Sequence, residues 1–309
     1  MKRETRRAAL AIVGAVIGAG FASGRELCAF FSRYGIFSWG GIVCAVMTIV
    51  WSLGRLRRLP EHLIWRIAFG LLTAVTGGAM LACAGEIAAL ALPIHGAYGV
   101  GMALVMLLTV LANGKTALLS GVSRLLMLCL LTLLAAGLLL PGQGVALGDC
   151  GSMPQAAISG VCYGGFNAAL ALPVIAEMEE DRRQAALRCA GIALLLLLAA
   201  GNGVMLRHPE LRGETMPLIL LAGRLGKPGY YACCATMGLA VLTTAIAADK
   251  GLSAVLPDGW RMFGRVLMLS AALLGFKQIV AWLYPALGAA CFLILILSGG
   301  QRRDAAGHF

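Results

Sequence analysis

The feature that most restricts what this chain can fold into is the near-continuous succession of long apolar runs. A helix needs about 20 apolar residues to cross a bilayer, and ten runs of roughly that size follow one another. They lie at about 8–33, 36–54, 63–92, 97–112, 116–140, 154–178, 185–206, 229–255, 261–275 and 277–298. Only short loops punctuated by Gly, Pro or charge separate them, such as Pro93–Gly96 and Asn113–Lys115. Just 13% of the 309 residues are charged, about half the share a soluble domain carries. The expectation is an all-α integral membrane protein of about ten transmembrane helices, with residues 1–309 forming one transmembrane domain.

The net charge of +11 points to membrane orientation rather than to nucleic acid, because Lys and Arg collect in cytoplasmic loops. With the N-terminus inside, 18 of the 25 basic residues fall on the inner side. Ten spans then leave both termini in the cytoplasm, as expected for a multi-pass protein of a cell inner membrane. The outer exceptions are Arg25, Arg33, Arg207, Arg212, Arg224, Lys227 and Lys277. Four of them flank the segment 209–227, which is too short and polar to span and reads as an amphipathic outer helix or lid. Tryptophans 39, 51, 65, 260 and 282 lie toward span ends, where interfacial anchors belong. A loop near 141–152 divides the chain into halves of five spans, about 8–140 and 154–298. Five is odd, so the halves enter from opposite sides and any internal similarity must be an inverted repeat.

Each half opens with a glycine cluster at matched depth. The first span carries Gly18-Ala19-Gly20-Phe21-Ala22-Ser23-Gly24 and the sixth carries Tyr163-Gly164-Gly165-Phe166-Asn167. Each glycine weakens a helix by about 1 kcal/mol, so local unwinding of helices 1 and 6 is expected. Irregular backbone inside a membrane is tolerated where it lines a cavity or holds something. A half-helix starting near Ala22 offers N–H groups to a carboxylate, and one ending near Tyr163 offers carbonyls to an ammonium. Gly20 and Gly165 let backbone approach the solute, Ser23 and Asn167 offer hydrogen bonds, and Phe21, Tyr163 and Phe166 shape the apolar part. The competing reading is that the glycines serve close helix packing.

Other classes fit poorly. The first cluster resembles a dinucleotide fingerprint, but its last spacing is one residue too long and no acidic residue lies between Glu26 and Glu61. No GxSxG or HExxH occurs, and the four His, at 62, 95, 208 and 308, are scattered over loops and ends. The ten Cys show no CxxC and no Cys/His spacing, so neither a metal site nor a disulfide framework is expected. No enzyme activity and no cofactor is expected, apart from a coupling ion.

The segments GAVIGAGFASGRELCAFFSRYG and YGGFNAALALPVIAEM resemble the first and sixth spans of the YkvI-type membrane proteins of the amino acid/polyamine/organocation (APC) superfamily. That resemblance implies a LeuT-like fold: a 5+5 inverted-repeat bundle with a central site between spans 1, 3, 6 and 8, working by alternating access. On it, Gly18–Ser23 and Tyr163–Asn167 match the unwound, substrate-binding segments, and Thr76 on span 3 faces the site. Thr243-Thr244 match a hydroxyl pair that holds a coupling cation, and Glu26 with Lys277 match a gate across the outer vestibule.

Three further charges lie within spans. Glu86 is either a cation ligand or a water-facing group. Asp249 is either a proton site or part of an inner-surface pair. Arg124 is a buried basic residue that could stand in for a cation. The expected function is ion-coupled secondary transport (Na⁺ or H⁺) of a small zwitterionic or cationic organic solute, an amino acid or amine. The alternative is a non-transporting ligand sensor on the same fold.

Overall fold

A computed structural model describes residues 3–55, 62–112, 119–142, 144, 151–176, 178, 180–257 and 259–304. The loop expected at 141–152 falls largely outside these, and so does the Arg124 side chain. Among the described residues all regular structure is helical. The first passage is built from α1 (Arg3–Val16), α2 (Ala19–Ala22), α3 (Arg25–Phe30) and a 3₁₀ segment (Ser32–Phe37). Then follow α4 (Ser38–Arg55), α5 (Leu63–Ala91), α6 (Ala97–Ala112), α7 (Leu119–Leu139), α8 (Met153–Ala176) and α9 (Glu180–Arg207). A 3₁₀ turn (Pro209–Leu211) leads to the short α10 (Pro217–Gly223), then α11 (Lys227–Val255) and α12 (Arg261–Ala272). Finally α13 (Phe276–Gln278) runs through a π-helical turn at Ile279–Leu283 into α14 (Tyr284–Asp304).

Helical passages thus occupy all ten expected places. Six helical stretches are long and apolar enough to cross a membrane by themselves: Ser32–Arg55, Leu63–Ala91, Met153–Ala176, Arg182–Arg207, Lys227–Val255 and Phe276–Leu297. These make the chain a multi-pass membrane protein. The outward faces agree with lipid as the solvent. On α4, Trp39, Val43, Met47 and Trp51 are all exposed at a four-residue spacing, and α12 exposes Met262, Phe263, Val266 and Leu269. Water would penalise such stripes, whereas lipid tails accept them. Trp65 departs from the interfacial expectation: it is buried and stacked on Phe69.

The expected break in the first helix is present. Gly18 adopts an extended conformation between α1 and α2, and Gly24 adopts the left-handed one (φ 82°) between α2 and α3. The expected break in the sixth helix is not: α8 runs unbroken through Gly164 and Gly165. Its glycines are packing surfaces. A Cβ on Gly160 would strike the Gly41 carbonyl, and one on Gly164 would lie 2.7 Å from the Ala45 carbonyl and 2.6 Å from Thr48 Cβ. Ala156, Gly160 and Gly164 form a small-xxx-small stripe that lets α8 meet α4 backbone to backbone. One position on, a Cβ at Gly165 would meet the Gly288 carbonyl and lie 2.7 Å from Phe292 Cβ, so α14 closes on the adjoining face.

The segment 209–227 is a cap, not a surface-lying amphipathic helix. Leu218, Ile219 and Leu221 on α10 are fully buried. The Leu218 N–H donates to the Ser23 carbonyl at 3.0 Å, and Pro217 and Leu218 fill the space beside Gly24. Arg25 donates from Nη1 to the Arg212 and Glu214 carbonyls at 2.9 and 3.2 Å, and Lys277 Nζ donates to the Gly213 carbonyl at 2.8 Å. Two cations from opposite ends of the chain therefore tie down the loop that leads into α10.

Candidate functional site

At the break, the Ile17 carbonyl and the Gly18 N–H make no backbone hydrogen bond among the described residues. The leading N–H groups of α2 have no acceptor within their own short turn, as at any helix start. Such groups are costly away from water unless something pairs with them. The residues of the break line a cavity of about 190 Å³, with Gly14, Ile17, Gly18, Ala19 and Ala22 contributed by the first passage. Cys129, Leu130 and Leu133 of α7 form a second wall, with α10 and α11 closing the rest. From α11 come Thr236, Thr243 and Thr244. Both Thr243 and Thr244 donate their hydroxyl protons to the Ala240 carbonyl at 2.9 Å. That leaves their oxygen lone pairs free to accept. Thr244 Oγ1 is 3.7 Å from where a Cβ on Gly18 would sit, so the hydroxyl pair and the break face one another. The site combines backbone N–H, backbone C=O and hydroxyl oxygen within an otherwise apolar wall.

The expected site residues divide into two sets. Gly18, Ala19, Ala22, Thr243 and Thr244 share the cavity. Gly20, Thr76, Tyr163 and Phe166 belong instead to a buried polar and aromatic cluster with α5, α8 and α14. There Phe166 stacks on Tyr284 at 4.2 Å, and Tyr163 stands edge-on to Phe30 and Phe31 at 5.2 and 5.0 Å. Thr76 donates to the Leu72 carbonyl of its own helix and has the Tyr284 hydroxyl beside it. Asn167 donates to the Tyr163 carbonyl at 3.0 Å, closing a turn of α8. Gly164 and Gly165 serve helix packing, as described above. Phe21 is buried with its ring tip toward Gly201 of α9 and is core, not a wall of the cavity. Ser23 is consumed locally: its hydroxyl donates to the Gly20 carbonyl at 2.7 Å and accepts from the Arg25 N–H at 3.1 Å.

The charged expectations change more. Glu26 and Lys277 do not pair: Lys277 holds the Gly213 carbonyl, while Glu26 is buried (5% exposed) with its carboxyl folded back onto Gly20. The reason is helical geometry. Consecutive residues point about 100° apart, so Arg25 turns to the loop at 212–214 and Glu26 turns toward the core. Asp249 is engaged by Arg265 of α12 through two hydrogen bonds of 3.0 and 3.1 Å, the ion-paired one of its two expected settings. Glu86 is half-buried on α5.

Sequence reasoning missed Tyr284, the cavity residues Gly14 and Ile17, and an outer cluster of His208, Glu210 and Arg224. Only Pro285 and a local aromatic hint at Tyr284, since a tyrosine within an apolar run carries no positional signal. In the outer cluster, Arg224 Nη2 donates to Glu210 Oε1 at 2.6 Å, and the fully buried His208 ring lies 3.2 Å from the Gly137 carbonyl. Burial pushes the Glu210 carboxyl up, but its own backbone N–H, Arg224 and His208 outweigh that and hold it below the usual carboxylate range.

No protein-family profile matches the chain. A search of curated proteins finds no match either.

Proposed function

We propose that the protein is a secondary active transporter of a small zwitterionic or cationic organic solute, an amino acid or amine, coupled to H⁺ or Na⁺. The observation that carries this is the interrupted first helix, whose Ile17 and Gly18, with an unmated backbone carbonyl and N–H, line one cavity together with Thr243 and Thr244. Backbone N–H groups suit a carboxylate. Carbonyl and hydroxyl oxygens suit an ammonium or a hard cation. Few structural roles justify unsatisfied backbone midway along a membrane passage.

Some helix contacts agree with the finer reading of a LeuT-like 5+5 inverted repeat, while the large α8–α14 contact has no comparable α1–α7 counterpart among the described residues. Exchanging each passage with the one five places away carries the α1–α9 contact onto the α8–α4 contact, and both are extensive. The same exchange maps the α5–α11 contact, another of the largest, onto itself, and carries α5–α12 onto α11–α6. Internal repeats of this kind are the usual frame for alternating access. The resemblance of the opening segment to YkvI-type proteins points the same way, and the basic-residue bias favours cytoplasmic termini.

The test is uptake into proteoliposomes of a pool of common amino acids with putrescine and choline, read by mass, under inward H⁺ or Na⁺ gradients. Gradient-driven accumulation of one solute is expected, and Thr244→Val is expected to weaken it. Solute-specific thermal stabilisation without uptake would instead indicate a sensor. The absence of both uptake and stabilisation would refute a solute site.

A further inference from the structure

Among the described residues, the Glu26 carboxyl is the acidic group that lies against Gly20 of the broken helix. It sits at 5% exposure against Gly20, in space that exists only because Gly20 lacks a side chain: a Cβ there would coincide with the carboxyl. No Lys, Arg or His pairs with it among the described residues. Its neighbour Arg25 is held by the Arg212 and Glu214 carbonyls. From α8 it faces the Tyr163 hydroxyl, which is fully buried and reaches no partner with hydrogen-bond geometry. Cys83 of α5 and Tyr284 of α14 are the other titratable groups within its reach, both neutral in their ordinary forms. Against α3, α9 presents Gly201 beside Leu27, the π-helical turn Ile279–Leu283 carries no charged residue, and in the 3₁₀ segment Arg33 lies over the Tyr34 ring.

An ionised carboxylate in such a place has neither water nor a counter-charge, and binding one proton removes that penalty. The aromatic rings around it cannot neutralise it. A movement of α3 that lifted the carboxyl off Gly20 toward water would reverse the preference. Such a group would hold a proton where it now sits and release it where it met water. Resting on the transport reading above, we propose that Glu26 is the proton-carrying site, so that the coupling ion is H⁺. Gly20 and Tyr163 act as positioning residues, Gly20 by leaving room for the carboxyl and Tyr163 by offering it a hydroxyl.

The proposal is tested on the full chain in proteoliposomes with Glu26→Gln, which keeps the shape, and Glu26→Asp, which keeps the acid. The first readout needs no solute: the infrared C=O stretch of a protonated carboxyl, followed as the buffer is made alkaline. Wild type is expected to lose a band that Glu26→Gln lacks from the start, with Glu26→Asp retaining a shifted one. The second uses the amino acid, putrescine and choline pool. Glu26→Gln is expected to lose H⁺-driven accumulation while keeping solute-for-solute exchange, and Glu26→Asp to regain accumulation with a displaced pH profile. An unchanged band in Glu26→Gln, undiminished accumulation by it, or wild-type accumulation driven only by Na⁺ would overturn the proposal. If wild type moves no member of the pool while the band behaves as expected, the transport reading fails and Glu26 remains a proton site.

Discussion

Removing one partner of the Asp249–Arg265 pair tests whether this contact is structural or part of ion coupling. The two side chains are 7% and 14% exposed and meet through two hydrogen bonds of 3.0 and 3.1 Å, bridging α11 and α12. Truncating Asp249 to Ala leaves the Arg265 guanidinium buried without its counter-charge, and such losses cost about 3–5 kcal/mol. Replacing both, as Asp249→Leu with Arg265→Met, removes the charges and the need to desolvate them together. That kind of replacement is commonly neutral or stabilising by about 1–4 kcal/mol. Each single variant is therefore expected to unfold earlier than wild type, and the double variant to unfold later than either single. The assay is denaturant unfolding in mixed micelles, run as a double-mutant cycle so that non-additivity measures the contact itself. Additive losses would refute the reasoning, because they would mean that the two groups do not depend on each other. Loss of H⁺-driven accumulation in a double variant of wild-type stability would return Asp249 to the list of coupling groups.

Glycine substitutions should separate packing from cavity positions. Gly165→Ala pushes a methyl into the Gly288 carbonyl and Phe292 and is expected to cost about 1–3 kcal/mol. Gly14→Ala has nothing within 4 Å and is expected to gain up to about 1 kcal/mol of helix stability; the same unfolding assay reads both. Glu210 titrates below its ordinary 4.5 in the folded chain. Its stabilising contribution is present above that ordinary value and lost as pH falls through the depressed one, and Arg224→Met should flatten this acid limb in thermal melts. Lys277→Met removes the hydrogen bond to the Gly213 carbonyl. At about 0.5–1.5 kcal/mol, hydrogen exchange should rise roughly two- to tenfold in peptides covering 212–214, with α8 peptides unchanged as the control.

The ten helical passages were legible because each apolar run is long and ends in charge, glycine or proline, which settles position without knowledge of neighbours. The end of the short α2 was legible for a local reason as well, since left-handed Gly24 suits a residue without a Cβ. The same reasoning failed at Gly164 and Gly165. Glycine serves unwinding and close approach alike, and what decides between them is the backbone opposite: Ala45 and Thr48 on α4, Gly288 on α14. Those partners lie more than a hundred residues away in sequence. Glu26 was legible as an intramembrane charge but not as a neighbour of Gly20, because a one-residue rotation decides whether it faces the outer loop or the core. Arg265 as the partner of Asp249 depended on how α12 folds back on α11, which no local pattern states.

The hydrogen bond between Leu218 N–H and the Ser23 carbonyl joins residues 195 positions apart (218 − 23). A ribosome adding about 5–20 residues per second takes roughly 10–40 s to cover that distance. Throughout this interval the first passage is already synthesised, but the segment that caps its second break does not exist. The end of the first helix beyond Gly24 therefore enters the bilayer without this cap, and the hydrogen bond that fixes its bend forms only when the second half arrives. Biogenesis of the broken helix is in this sense a late event, and a chain truncated before Pro217 should insert its first passage without the geometry that exposes the Ser23 carbonyl to α10.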